Sequence, residues 1–171
     1  IIVLSLYVSI TALILASFFG LLVGYYLAIK NFFLKNFILI VLNSLMGIPP
    51  VVVGLIVYFM FASGGPLGIL QLLYTPTAMI IAQVIIIFPI ITSLSHEIFD
   101  QNWREYKDQL RSINMTFFGI LFIISKHSYF LVITALLSAF GRAISEVGAV
   151  MIVGGNINHF TRVMTTAISL E

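Results

Sequence analysis

Long apolar stretches alternate with short polar ones along this chain, and the pattern predicts its helices. A membrane-spanning helix needs about 20 predominantly apolar residues. Four stretches meet that requirement, and we predict spans at about residues 2–29, 37–61, 77–94 and 128–153. The apolar runs are continuous and do not alternate residue by residue, which argues against a β-barrel. The pattern therefore predicts an all-α, polytopic transmembrane helical bundle in one domain, residues 1–171.

Tandem proline interrupts the second of these spans. Pro49 and Pro50 together remove two backbone donors, so the helix should kink or break there. Gly54 follows within the same span, where a small residue allows another helix to approach closely. We therefore expect this span to combine a helix break with a packing contact.

Composition and charge agree with a membrane protein and add an orientation. The chain is 61% hydrophobic and 8% charged, whereas soluble domains are about 25% charged. It contains no cysteine, which excludes disulfides and thiolate sites. Six of the eight basic residues fall in two connections on one side: Lys30, Lys35, Arg104, Lys107, Arg111 and Lys126. That side is predicted to be cytoplasmic, which makes 95–126 a cytoplasmic segment. Because the chain begins at Ile1 and stops in mid-pattern, we expect it to be truncated at one or both ends.

The fourth span carries two charged residues at membrane depth. Arg142 and Glu146 are four residues apart, so on one helix they would share a face and could pair. Gly141, Ser145 and Gly148 would form a neighbouring stripe of small residues for helix packing. Charges inside a membrane are rare and usually face protein or water. Two interpretations stay open, a structural ion pair and a role in a transport pathway.

The cytoplasmic segment contains a predicted short helix at Glu105–Met115. Glu105 and Asp108 lie in its first turn and Arg111 lies further along, which suits the helix dipole. Its apolar face would consist of Tyr106, Leu110 and Ile113, spaced at i, i+4 and i+7. Such a helix could dock in a groove of another protein or lie on the bilayer surface, and periodicity alone does not separate the two.

Several chemical functions are excluded by the motifs that are missing. The sequence has no Gly-x-x-x-x-Gly-Lys-[Ser/Thr] loop to hold ATP and no His-Glu-x-x-His metal motif. It also has no cluster of His, Asp and Glu with metal-ligand spacing. We therefore expect no catalytic residue, no metal and no bound cofactor in this chain.

Four ordered stretches together resemble the permease subunits of ABC importers for oxyanions, of the molybdate/tungstate type and closest to tungstate permeases. They are Gly47-Ile-Pro-Pro-Val-Val-Val-Gly54, Gly65-Pro-Leu-Gly68, Ala139-Phe-Gly-Arg-Ala-Ile-Ser-Glu-Val-Gly-Ala149, and Gly154-Gly-Asn-Ile157 with the following Thr161-Arg-Val-Met-Thr-Thr166. Each match is weak alone, but their order and spacing across most of the chain are specific.

The family also has a cytoplasmic coupling helix, Glu-Ala-Ala-x-x-x-Gly, which docks on the ATPase. Glu105 matches its acidic position and Leu110 the apolar position before the glycine. Neither alanine is present, and the glycine position is taken by Arg111 or, with a shift of one residue, by Ser112. The resemblance therefore implies coupling between spans three and four in a register that these residues leave open.

The resemblance implies a type I ABC importer permease fold in a multi-pass protein of the cell membrane. It implies two copies of this subunit around one path, two cytoplasmic ATPases that use ATP-Mg, and an external binding protein that delivers tungstate or molybdate. Membrane lipid is an expected partner, whereas nucleic acid and enzymatic activity are not expected. Two rivals stay open. A secondary transporter would call for internal repeats, and none is found; the other rival is a membrane scaffold subunit without a transport path.

Overall fold

Helices joined by short turns make up the computed structural model, which describes residues 1–112, 115–158 and 160–170. The helices are α1 Ile2–Ile29, α2 Lys35–Met46, α3 Pro50–Phe61, α4 Pro76–Ser112, α5 Phe117–His127, α6 Tyr129–Ile144, α7 Gly148–Gly154 and α8 Met164–Leu170. A 3-10 turn at Gly68–Leu70 lies between α3 and α4. These residues contain no β-strand, and the predicted all-α class is confirmed.

Two helices, α1 and α4, are each long and apolar enough to cross a membrane as single straight elements. Four of the other helices form two bent pairs, α2 with α3 and α5 with α6, which reach the same length only when taken together. The axes of α2 and α3 differ by 101°, and those of α5 and α6 differ by 82°. The bundle therefore combines two continuous spans with two broken ones.

The second predicted span, residues 37–61, is not one helix. After α2 ends, the N–H of Gly47 donates to the carbonyl of Ser44 and the N–H of Ile48 donates to that of Leu45. The chain restarts at Pro50, the first residue of α3, where proline fits because that position needs no N–H donor. The tandem proline thus produces a full break.

The third predicted span and the predicted cytoplasmic helix form one continuous element. Helix α4 has 37 residues, about 55 Å at the usual rise per residue, and it runs past the expected end near residue 94. No glycine or proline follows Pro89 within α4, so nothing in the backbone stops the helix. The change from apolar to polar side chains alters its surroundings and not its conformation.

The fourth predicted span, residues 128–153, was predicted to be continuous, but the structure divides it into two helices. Helix α6 ends at Ile144 and α7 begins at Gly148, with a three-residue break between them. Helix α5, which we had included in the polar connection 95–126, is itself apolar except for Lys126 and His127 in its last turn. Ser128 separates α5 from α6, so the chain bends there as well.

Two groups of buried side chains hold the helices together. The aliphatic core joins α1, α3, α4, α6 and α7, and its fully buried members include Ala12, Ala16, Ala82, Ala139, Ala149 and Val153. The aromatic core lies towards the other end of α1 and α4 and against α5, and consists of Tyr25, Ala28, Phe99, Trp103, Leu110, Ile120 and Ile124. Helices α1 and α4 pack along each other and contribute to both cores.

Candidate functional site

A cleft of about 340 Å³ opens where the α2–α3 break meets α4 and the end of α6. Apolar side chains form nearly all of its wall, among them Leu45, Ile48, Val53, Phe88 and Pro89, and Arg142 is its only charged lining residue. Small-molecule sites usually fall between about 300 and 1,000 Å³ and combine apolar walls with a few polar groups. The cleft therefore has the size of a small-molecule site, with apolar walls and one cationic side chain.

Arg142 lies in the last turn of α6 and is solvent-exposed within the single chain. Among the residues that the structure describes, no carboxylate oxygen lies within 4.0 Å of its guanidinium. A planar guanidinium with five N–H donors matches the oxygens of an oxyanion. An arginine at membrane depth without a protein counterion is unusual, and it leaves those donors available to a ligand.

Glu146 does not pair with Arg142, so the structural ion pair, one of the two interpretations left open, is not formed. Glu146 lies in the break between α6 and α7, and its side chain is only 7% exposed. Its carboxylate Oε1 accepts a hydrogen bond from the Ala149 N–H at 3.2 Å. Its backbone carbonyl accepts one from the Thr165 hydroxyl at 2.9 Å. Glu146 therefore ties the helix break to α8, and the i, i+4 argument failed because the helix had already ended.

The small residues that we had assigned to packing separate into two groups. A Cβ on Gly54 would lie 2.7 Å from the Cα of Ala149, and one on Gly148 would lie 2.6 Å from Val51 Cγ2. Helices α3 and α7 therefore touch through glycine. Gly141, by contrast, is exposed, and a Cβ there would meet nothing within 4 Å.

Ser145, the third member of the predicted stripe, is also exposed, and its hydroxyl donates to the carbonyl of Arg142. Pro49 and Pro50 lie at the break itself, where Pro50 begins α3. The predicted stripe is thus tightly packed at Gly148 and open at Gly141 and Ser145.

Gln83 is a residue that sequence reasoning missed. It is buried in the apolar half of α4, and its Nε2 donates a 3.0 Å hydrogen bond to the carbonyl of Ala143. Its Oε1 is buried and has no hydrogen-bond partner in the part of the chain that is described. Ala143 is next to Arg142, so Gln83 connects α4 to the backbone that carries the cleft arginine. The signal was available, since a polar side chain inside an apolar span often marks a functional position.

The C-terminal end of α4, which is predicted to be cytoplasmic, presents a polar surface to solvent. Glu105, Asp108 and Ser112 are exposed, and the Ser112 hydroxyl donates to the carbonyl of Asp108 at 2.7 Å. Arg111 also lies within α4, whereas Ile113 lies outside the described residues. We call this region, residues 105–112, the cytoplasmic lever.

The two described residues of the predicted apolar face, Tyr106 and Leu110, contact α5, so this part of the face is not free for the docking or the bilayer contact that had been left open. Leu110 is 6% exposed and belongs to the aromatic core, where α4 meets α5. The Tyr106 hydroxyl lies 3.2 Å from His127 Nε2, and the two rings make an edge-on contact. Sequence periodicity identified the face correctly but could not tell that α5 would cover it.

An ion network joins α4 to the beginning of α2. Asp100 Oδ2 lies 2.8 Å from Arg104 Nε, and Asp100 Oδ1 lies 3.7 Å from Lys35 Nζ. The Lys35 and Asp100 side chains are 14% and 17% exposed, so water screens this contact less than it would a surface ion pair. The network connects the beginning of α2 to the part of α4 just before the lever.

Among the described residues, no three His, Asp or Glu side chains come close enough together to hold a metal ion. The arrangement instead offers one cationic cleft at membrane depth and one polar lever at the end of a long helix. Neither contains a nucleophile paired with a base.

Comparison with known proteins identifies relatives over nearly the whole chain. Residues 16–170 match the family described as "Binding-protein-dependent transport system inner membrane component". A probable anion ABC transporter permease protein of Haloferax volcanii is 40% identical over 98% of this chain and 74% of its own length.

Two further relatives have names that state a substrate. The tungstate uptake system permease protein TupB of Peptoclostridium acidaminophilum is 42% identical over 99% of this chain and 75% of its own length. The protein of the same name in Campylobacter jejuni is 37% identical over 82% of this chain and 59% of its own length.

Proposed function

This chain belongs to the binding-protein-dependent transport system inner membrane components, and we propose that it carries tungstate across the cell membrane. Members of this family are multi-pass membrane subunits of transport systems that work with a binding protein. The name of one relative specifies an anion and the names of two specify tungstate, so an oxyanion is the substrate class that we infer. Tungstate is the specific proposal, and molybdate, which has the same shape and charge, is its closest competitor.

The observation that carries this proposal is the unpaired Arg142 in the apolar cleft. A divalent oxyanion crossing a membrane needs donors that replace its hydration, and a guanidinium supplies several in one plane. The low polarity of the cleft strengthens the attraction. One arginine per subunit also leaves the anion free to depart, because conduction requires binding that is not too tight.

We assign movement to α4 and to the broken helices around the cleft. In this mechanism a cytoplasmic ATPase pushes on the lever, α4 transmits the displacement as one rigid element, and the α2–α3 and α6–α7 breaks take up the change. Such rocking of a bundle around a fixed site gives alternating access. Linkage then requires that docking of the loaded binding protein changes the ATPase rate.

The full assembly that we propose contains two copies of this subunit, two cytoplasmic ATPases and one external binding protein, all surrounded by lipid. The ATPases bind and hydrolyse ATP-Mg, because this chain has no P-loop. The exposed Gly141 and Ser145 lie on the turn of α6 that carries Arg142, and we place them at the contact between the two copies. That arrangement brings two Arg142 side chains towards one central path.

The test is uptake by vesicles reconstituted with the complete transporter, its binding protein and internal ATP. We expect Arg142→Gln to reduce tungstate uptake at least tenfold while the binding protein still stimulates ATP hydrolysis, and Arg142→Lys to recover part of the uptake. Lys126→Gln, which removes an exposed cation at the end of α5, is the matched control. Normal uptake by Arg142→Gln at normal expression would contradict the pathway, and loss of the assembled complex would mean a structural role.

Substrate identity is tested in the same vesicles by competition. We expect unlabelled tungstate to compete best with labelled tungstate, followed by molybdate and then sulfate. If molybdate competed more strongly than tungstate, the proposed substrate would be wrong while the transport mechanism would stand.

The coupling role is tested at the lever. Glu105→Gln combined with Asp108→Asn should weaken association with the ATPases without lowering the thermal stability of the subunit, because both side chains are exposed. Gln109→Ala, on the same exposed stretch, is the control. Co-purification of the ATPases at the wild-type yield with the double variant would rule out docking through these carboxylates.

A further inference from the structure

A second cleft, of about 470 Å³, lies at the C-terminal end of α1. It is bounded by the end of α1, the turn before α2 and the polar half of α4. Its polar and aromatic lining residues are Asn31, Lys35, Asp100, Trp103, Arg104 and Lys107. None of these residues lines the Arg142 cleft.

Positive charge exceeds negative charge in this cleft. Three cations line it, and its one carboxylate, that of Asp100, is shared between Lys35 and Arg104. Within the described ranges no carboxylate lies within 4.0 Å of the third cation, Lys107, which is exposed. An anion that entered the cleft would therefore meet Lys107, which no described carboxylate neutralises, and two cations that share one carboxylate.

The turn beside the cleft exposes apolar side chains. Phe33 is fully exposed, and Leu34 and Phe37 are more than half exposed. Lys30 precedes these residues and Lys35 lies among them. Apolar and aromatic side chains next to lysines at a helix end are typical of the level where lipid headgroups meet acyl chains. The cytoplasmic leaflet is the one that carries most anionic lipid, and basic pockets between helices on that side bind lipid headgroups.

We propose that this cleft binds the phosphate headgroup of an anionic phospholipid of the cytoplasmic leaflet. The lysines and Arg104 hold the phosphate, while Phe33 and Leu34 lie among the acyl chains. The bound lipid braces the α1–α2 turn against the lever of α4. This inference rests on the membrane location of the chain and is independent of the anion path through the Arg142 cleft.

Trp103 allows a direct test, because it is the only tryptophan in the chain. The intact transporter is placed in nanodiscs that contain either brominated phosphatidylglycerol or brominated phosphatidylcholine, and bromine quenches nearby tryptophan fluorescence. Subtracting the signal of Trp103→Phe isolates this position from tryptophans of the partner subunits. We expect phosphatidylglycerol to quench Trp103 more strongly than phosphatidylcholine does at equal content.

Charge variants distinguish a specific headgroup site from general attraction to a negatively charged membrane surface. Lys107→Gln and Arg104→Gln should each lower the preference for phosphatidylglycerol about fivefold, which corresponds to about 1 kcal/mol per cation. Lys107→Arg should retain the preference. Lys126→Gln, which removes an exposed cation outside the cleft, should leave it unchanged.

Four outcomes would overturn the proposal. Equal quenching by the two lipids would mean that no headgroup is selected, and equal effects of Lys107→Gln and Lys126→Gln would mean surface attraction only. Soluble glycerol phosphate could also be added to phosphatidylcholine nanodiscs. If it changed Trp103 fluorescence as much as phosphatidylglycerol does, the cleft would be assigned to a free phosphate compound. Selective quenching that appears only when the ATPases are removed would assign it to the ATPase contact. Tungstate uptake is not measured, so failure here leaves the proposed function untouched.

Discussion

The two cores of this molecule are built from different kinds of side chain. In the aliphatic core, Ala12, Ala82 and Ala149 are completely buried, and the helices there approach through alanine and glycine. In the aromatic core, the Tyr25 and Phe99 rings pack edge to face with centroids 5.8 Å apart, and Trp103 and Leu110 fill the space beside them. The Lys35–Asp100–Arg104 network lies beside the aromatic core.

This difference separates a fixed region from an adjustable one. Contacts made by small residues bring backbones together and leave no side chain that could rotate to accommodate a shift. Contacts made by aromatic rings and long charged side chains can repack around a moving helix. In the mechanism we propose, α3 and α7 would therefore move together as one unit between the breaks that flank them, and the side chains around the lever would repack.

The largest effect should come from enlarging a backbone contact in the aliphatic core. Gly54→Leu requires α3 to move away from α7, because even a Cβ would lie 2.7 Å from Ala149 Cα. We expect a destabilisation of more than about 4 kcal/mol, seen as loss of the monodisperse transporter on size exclusion. Gly64→Leu, where a Cβ would meet nothing within 4 Å, is the control. A folded Gly54→Leu transporter would show that this region adjusts as the cytoplasmic half does.

Truncation in the aromatic core should have the next largest effect. Leu110→Ala removes a buried side chain between α4 and α5, which typically costs about 2–5 kcal/mol. We expect a lower unfolding temperature of the purified subunit, while Gln109→Ala, one residue away and exposed, changes little. If Leu110→Ala instead abolished ATPase association at unchanged stability, Leu110 would be a docking residue and the buried contact would be incidental.

Neutralising the shared carboxylate should have a moderate effect. Asp100→Asn leaves Lys35, which is 14% exposed, without its counterion, and we expect a loss of about 1–3 kcal/mol. The loss should shrink in the Lys35→Met background, because the unpaired charge that remains, on Arg104, is 78% exposed to water. Glu97→Gln, an exposed carboxylate on the same helix, is the control. Equal unfolding temperatures for Asp100→Asn and Glu97→Gln would show that the network contributes nothing.

The smallest effect should come from Gly141, the open end of the small-residue stripe. Gly141→Ala adds a methyl group where nothing lies within 4 Å, and alanine favours a helix by about 1 kcal/mol over glycine. We expect the subunit to become slightly more stable. Gly141→Leu should then weaken pairing of two permease copies, measured by native mass spectrometry. A dimer unaffected by leucine would remove Gly141 from the proposed contact.

Sequence reasoning predicted the apolar elements well and their continuity poorly. The bounds of α1 coincide with the first predicted span, because an unbroken apolar run leaves little choice. The end of α4 was misplaced because polarity was taken as a stop signal, although only glycine, proline or a cap stops a helix. The break after Ile144 was missed for the converse reason, since an apolar stretch with small residues reads as one helix.

In the candidate site, too, the sequence identified individual residues better than it predicted their contacts. Arg142 was identifiable, because a charge in an apolar run stands out on composition alone. The partner of Glu146 was not, since it depended on a break that places its carboxylate beside the Ala149 N–H. The burial of Leu110 likewise depended on α5. Sequence periodicity identifies the apolar face of α5 but does not show which helix it packs against. Local pattern therefore gives the candidate residues, and tertiary packing decides which of them face outward.

One hydrogen bond links the position of α4 to the backbone that carries Arg142. Gln83 on α4 donates to the Ala143 carbonyl at 3.0 Å, one residue from Arg142, and a slide of α4 by about 1 Å would stretch this contact beyond hydrogen-bonding distance. In the mechanism we propose, movement of α4 would therefore also free or hold the backbone next to the arginine. The affinity for the anion and the position of α4 would then change together, without any further contact to connect them.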